Sequence, residues 1–421
     1  MNSPTPAASA HAAHPPDRGR VASVTLVVLC QVVHVLTFGG IALLLPLIRD
    51  DLQISFSQAG MLSAAVTLTY AIGQIPAGYL SDRFGPKRLF FIGLFGWSAL
   101  SLSLGLVHAF WLAVLNQLAA GAFRALLFAP GLALLASWFP PERRATAISL
   151  YMVGGFTGTI VLSLIGPLLA NYLGWRPTFI GFALVGIAGA LAFRSLAQEK
   201  ARTETGPRIG MLDAVQLFRH RILWVCSAIQ FVRFSVVTAF NFWLPSLLVA
   251  DRGFSLPAAG LVVAMSAAFT APSNALGGYV SDRLRNPPLV IGGSLAVLAC
   301  TSTLLVVVES VPALLVVVAV ASVFLQFYFG PLFFVPIEML GQRTAGMATG
   351  FSNLFANIGG LLTAYTLGMV RDNAGSFTWG FVGISVLCLI GVVLSVILAR
   401  MRSRALAARG RVRMSEASPR G

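Results

Sequence analysis

Three side chains in this sequence join a charge or a titratable ring to the middle of a long apolar run: Arg124, Arg233 and His34. Burying an ionised side chain there costs on the order of 2.5–3.5 kcal/mol on insertion scales, so such residues are functional candidates by default. His34 and Arg233 stand in matching contexts, Gln31-x-x-His34 and Gln230-x-x-Arg233. A spacing of three puts both members of each pair on one helical face. No Asp or Glu lies in the middle of any apolar run. Two guanidiniums without an acid make a net-positive site in a low-dielectric setting, and an anion is the ligand that suits it. Arg is also the side chain that grips a carboxylate or phosphate in a two-pronged fork. A lone intramembrane Arg can instead bond helix carbonyls, and a lone His can simply pack; two arginines together favour ligand contact.

The elements that position these residues follow from composition. Of 421 residues, 57% are hydrophobic and 10% charged, with a mean hydropathy of +0.83. A soluble domain carries about 25% charged residues, so this chain cannot cover a water-facing surface. Its net charge of +15 forms no basic stripe on a soluble module, which excludes nucleic-acid binding. Cys30, Cys226, Cys300 and Cys388 lack metal-ligand spacing and read as small core residues. With no nucleophile–base set or metal cluster, neither an enzyme nor a cofactor is expected.

A membrane-spanning helix needs about 20 mostly apolar residues, and the charge clusters delimit twelve candidates. Six lie in 21–196 and six in 222–400, flanked by a tail at 1–20, a polar linker at 197–221 and a tail at 401–421. The predicted fold is an all-α membrane protein of two six-helix bundles. With the N-terminus cytoplasmic, 23 basic residues fall on the cytoplasmic side and four (Arg49, Arg176, Arg252, Arg371) on the other. By the positive-inside rule both tails are cytoplasmic.

The halves repeat. Gly78-Tyr79-Leu80-Ser81-Asp82-Arg83 returns as Gly278-Tyr279-Val280-Ser281-Asp282-Arg283, and Leu45-Pro46 as Leu244-Pro245. Such repeats are typical of secondary transporters, whose site lies at the repeat interface near the midplane. The run from Gly78 through Phe84-Gly85-Pro86-Lys87-Arg88 resembles the signature loop of the major facilitator superfamily. Trp138 to Arg144, and Arg343 followed by Gly346, Gly350 and Gly359, resemble that family's organic-anion branches. The likeness covers roughly residues 21–400.

The resemblance implies two pseudo-symmetric bundles with spans 1, 4, 7 and 10 around a central cavity, which would place His34, Arg124 and Arg233 around one pocket. Gln117 stands where many relatives carry an Arg, four residues before Gly121, and Arg124 where some anion transporters carry an acid. Asn116, Tyr151, Asn241, Gln326, Tyr328, Asn353 and Asn357 add polar groups within spans. Gly78, Asp82, Arg83, Gly85, Lys87 and Arg88, with Asp282 and Arg283, are expected to latch one transport state, the alternative being a headgroup anchor. Glu338 is expected to pair with Arg343 as a structural partner or charge relay.

The expected function is uptake, across the plasma membrane, of a small organic anion such as a carboxylate. Proton symport or exchange would drive it, with a monomer in the bilayer as the working unit. A proton-antiport exporter of a neutral or anionic compound is the competing expectation.

Overall fold

The computed structural model describes residues 18–139, 144–198, 220–340 and 345–417. Among these the chain forms helices joined by short turns, with no strand. They are α1 Arg18–Leu43, α2 Leu45–Leu52, α3 Phe56–Phe84, α4 Pro86–Leu104, α5 Phe110–Ser137, α6 Arg144–Leu173, α7 Trp175–Leu196 and α8 Arg221–Thr238. After a π-turn at Ala239–Trp243 come α9 Leu244–Ala250, α10 Leu256–Leu284, α11 Pro287–Val307, α12 Val311–Phe327, α13 Phe329–Leu340, α14 Ala345–Ala374 and α15 Thr378–Ala417. With α1–α2, α8–α9 and α12–α13 each taken as one interrupted rod, the described residues make twelve rods.

Nine of the described helices are long and apolar enough to cross a membrane by length and composition. The rods outside that set are α3, α4 and α14. The first and last are rich in Gly, Ser, Thr, Asn and Gln, and α4 carries Lys87 and Arg88 in its first turn. All three pack against other spans, where small and polar residues serve helix–helix contact better than lipid contact.

The repeated Leu-Pro pairs explain two interruptions. Leu45-Pro46 opens α2 and Leu244-Pro245 opens α9, each just after the rod breaks or widens. Proline has no N–H to continue the ladder and clashes with the preceding turn. Within the expected tail at 401–421, α15 continues as helix to Ala417. Residues 401–409 are Met, Arg, Ser, Ala and Leu, mostly strong helix formers. Arg402 then reaches back to Glu338, with its Nε and Nη2 at 2.7 and 2.8 Å from the two carboxylate oxygens.

Packing repeats between halves. The first span packs on the fifth and sixth, the second on the fourth, and the third on the fourth and sixth. Likewise the seventh packs on the eleventh and twelfth, the eighth on the tenth, and the ninth on the tenth and twelfth. The halves meet along two seams, second with eleventh and fifth with eighth. On both seams a glycine abuts backbone, so a Cβ at Gly60 would strike the Ala364 carbonyl and one at Gly260 the Ser163 carbonyl.

At the far face, opposite the one where the chain ends emerge, the second–eleventh seam is also tied by polar groups. Asp372 at the end of α14 accepts from the Phe56 and Ser57 amides at 2.8 and 2.7 Å and from the Ser57 hydroxyl. These are the orphan donors of the α3 N-terminus, which also favours a negative charge. Partial burial pushes the Asp372 carboxyl up, but the Ser57 and Phe56 hydrogen bonds outweigh that and hold it below the usual carboxylate range. The Phe56 ring sits 6.2 Å from Trp243, 5.4 Å from Phe377 and 4.9 Å from the Arg371 guanidinium.

Candidate functional site

Arg124 lies near the centre of α5, opposite the second span. Gly121, one turn before it, abuts the Val66 carbonyl, and Gly73 on α3 abuts the Ala125 methyl. These glycines let α3 and α5 approach closely, and that approach carries Tyr70 onto the arginine. The Arg124 guanidinium carbon is 3.7 Å from the Phe38 ring centroid and 4.3 Å from that of Tyr70. Each such cation–π contact is worth about 0.5–1 kcal/mol when exposed and about 2 kcal/mol when desolvated. Among the described residues Arg124 has neither an ion pair nor a hydrogen bond, so its N–H groups remain available.

His34 belongs to the same cluster. Its ring stacks on Phe38 at 5.9 Å, 6° from parallel, and meets the Trp97 edge at 5.2 Å. The Trp97 indole N–H donates to the Thr37 hydroxyl at 2.7 Å, which fixes the wall behind Phe38. Both imidazole nitrogens of His34 are buried without a hydrogen-bond partner.

Arg233 is held differently. It is 4% exposed, and its Nε donates to Gln230 Oε1 at 2.7 Å, the contact that the spacing of three predicts. One terminal nitrogen reaches Gln326 Oε1 on α12 at 3.4 Å, and the rings of Phe329 and Phe234 stand 4.9 and 5.7 Å away. The Gln230 amide nitrogen and the Tyr328 hydroxyl are buried without partners. Tyr328 marks the break between α12 and α13, a midplane irregularity of the kind tolerated where protein or a cavity surrounds it.

The structure thus gathers His34 and Arg124 around Phe38, and Gln230 beside Arg233. A polar link crosses between the halves, from Asn353 Nδ2 on α14 to Gln74 Oε1 on α3 at 2.8 Å. Gln74 is one turn beyond Tyr70. No hydrogen bond or ring contact among the described residues joins Arg124 directly to Arg233. Gln117 lies two turns from Arg124 and bonds to Asn116, which is itself tied to Leu100 and Ser103 of the third span. Gln31 turns to Gly154 and Gly155 of α6. A far-face cavity of about 340 Å³, lined in part by Asp251, Arg252 and Arg371, is separate from both arginine clusters.

Of the expected latch, Gly85 adopts φ +85° and joins α3 to α4, a conformation that calls for glycine. Arg83, Arg88, Asp282 and Arg283 are exposed and Lys87 half-buried. A Cβ at Gly78 would meet open space, so packing does not require that glycine. The Asp82 side chain and all of Arg343 lie outside the described residues. Sequence reasoning did not single out Phe38, Tyr70, Gln74, Phe329 or Arg402. The available signal was helical spacing: Phe38 is four residues from His34, and Gln74 four from Tyr70.

A family model for the Major Facilitator Superfamily matches residues 27–364. The chain is 23% identical over 401 residues to a hexuronate transporter of Bacillus subtilis, covering 90% of this chain and 94% of the relative. It is 27% identical over 412 residues to a probable galactarate/D-glucarate transporter of the same organism, covering 84% and 88%. A crystal structure of a bacterial homolog of the human lysosomal transporter Spinster, inward-facing and occupied, matches with a TM-score of 0.80 at 19% identity. It covers 92% of this chain and 98% of that one.

Proposed function

Because the chain belongs to the major facilitator superfamily, we propose that this multi-pass membrane transporter takes up a small organic anion, a sugar carboxylate, on the two midplane arginines. The observation that carries this reading is the pair of guanidiniums on facing halves with no acid at their level. A fixed positive site of this kind attracts an anion and leaves a cationic substrate uncompensated. The relatives named as hexuronate and galactarate/D-glucarate transporters support a sugar acid.

The test is a thermal-stability screen of purified protein against D-glucuronate, D-galactarate, neutral D-glucose and a cationic amine. Ligand binding raises apparent stability by mass action. Stabilisation by either acid but not by glucose or the amine is expected. Equal shifts for glucose would remove the anion-site reading.

Proton symport or exchange drives uptake in this reading, and both tails face the cytoplasm. Cysteines at Pro207 and Ser415 should then label from the cytoplasm only, and one at Gly253 from outside only. His34 stacks on the Phe38 ring that faces Arg124, so His34→Gln should weaken uptake. The loop around Asp82 acts as the latch: Asp82→Asn should cut transport while substrate binding stays nearly intact.

A further inference from the structure

Building on that anion-site reading, we propose that Phe38 and Tyr70 form a slot that holds the Arg124 guanidinium edge-on and selects planar carboxylates over tetrahedral oxyanions. Ring centroids stand 3.7 and 4.3 Å from the same guanidinium carbon. The two rings make no contact with each other, so they flank the guanidinium on different sides and leave part of its perimeter open. The N–H donors lie along that perimeter, and Arg124 is only half-buried, so a ligand can reach them.

A carboxylate places both oxygens in the guanidinium plane and fits the fork. A sulfate or phosphate ester carries a further oxygen out of that plane, against a ring face. The walls are themselves fixed. Phe38 is backed by His34 and by Trp97 at 6.0 Å, and Tyr70 is set by the close approach of α3 to α5. Arg233 offers no such slot, since its rings stand farther off and two of its nitrogens are already bonded. Phe38 and Tyr70 act through Arg124 and are positioning residues.

The experiment titrates the full-length protein in nanodiscs with D-glucuronate and D-glucose 6-sulfate, monoanions on the same hexose frame, following thermal stability. The unmodified protein should prefer D-glucuronate by at least about tenfold, as expected for a planar fork against a mismatched oxyanion. Phe38→Leu and Tyr70→Leu should each bring the ratio to within about threefold of unity, chiefly by weakening D-glucuronate, as loss of one ring contact would. Phe38→Tyr and Tyr70→Phe should keep the preference. Because the ratio is taken within each variant, a general loss of stability cancels.

A ratio near unity in the unmodified protein, or an unchanged ratio in both leucine variants, overturns the slot. Failure of the underlying site reads differently. If Arg124→Ala binds D-glucuronate normally, or neither anion binds the unmodified protein, the anion-site reading falls and the slot with it.

Discussion

The two seams between the halves place a glycine against backbone at the same level, Gly60 at Ala364 and Gly260 at Ser163, yet their far ends differ. On the second–eleventh seam, Asp372 holds the first amides of α3. Its counterpart on the fifth–eighth seam is Asn171, which is exposed. The reason lies partly in the partner. Where α3 offers Ser57, α10 offers Pro257, which has no N–H to donate. At the midplane the halves diverge again, with Arg124 enclosed by rings and Arg233 anchored by two glutamines. Duplication kept the close helix contacts, and each half acquired its own polar chemistry on that shared frame.

The largest expected effect separates the two arginines. Arg124→Ala should weaken anion binding by about a hundredfold or more, the range for removing one partner of a desolvated charge pair at about 2–5 kcal/mol. Arg233→Ala should cost nearer tenfold, because two of its nitrogens already serve glutamines and one charge-assisted hydrogen bond is worth about 1.5–3 kcal/mol. Titration of both variants against one acid checks this, and equal losses would erase the distinction.

Next comes the clasp. Asp372→Asn should open the far face more often, read as faster modification of a cysteine replacing the partly buried Met61, by about tenfold for the loss of a charge-assisted bond. The sign with pH follows from the lowered Asp372 carboxyl. The clasp is fully present above the ordinary value of 3.8 and is lost only as pH falls through the still lower folded value. Modification rates should therefore be flat between pH 5 and 8 on account of this group. A rise in that window tied to Asp372 would contradict the hydrogen-bonded geometry.

The smallest effect is expected from Asn171→Asp. With Pro257 opposite, the added acid gains only the helix N-terminal field, about 0.3–1 kcal/mol. Asn171→Asp combined with Pro257→Ser restores the missing donor and should slow far-face opening further. Identical rates in the single and double variants would show that the donor does not set the difference.

Much of this arrangement was legible in the residues. Apolar runs between charge clusters marked the spans, and charges inside those runs marked Arg124 and Arg233, because the cost of such charges makes them conspicuous. The Gln230–Arg233 bond followed from helical spacing alone. The ring slot was hidden because Phe38 and Tyr70 look like any aromatic residue in an apolar span, and a preference for lipid or for a cation leaves the same letter. Glu338 bonds to Arg402, 64 residues away and beyond the last apolar run, a partner that no local spacing points to, while the expected Arg343 lies outside the described residues. Nor does sequence say that Asp372, just past an apolar run, meets a helix start more than 300 positions earlier.

The seam at Gly60 and Asp372 also bears on what a binding assay reports. A transporter divides its time between states, and the apparent dissociation constant equals the intrinsic one divided by the fraction of molecules able to bind. Each 1.4 kcal/mol added to or removed from the far-face contacts changes the ratio of states about tenfold. A methyl at Gly60, or an amide at residue 372, therefore alters measured affinity for an anion whose contacts are untouched, and in opposite senses for ligand offered from the two sides. Affinity in this molecule is a property of the seam as much as of the arginines.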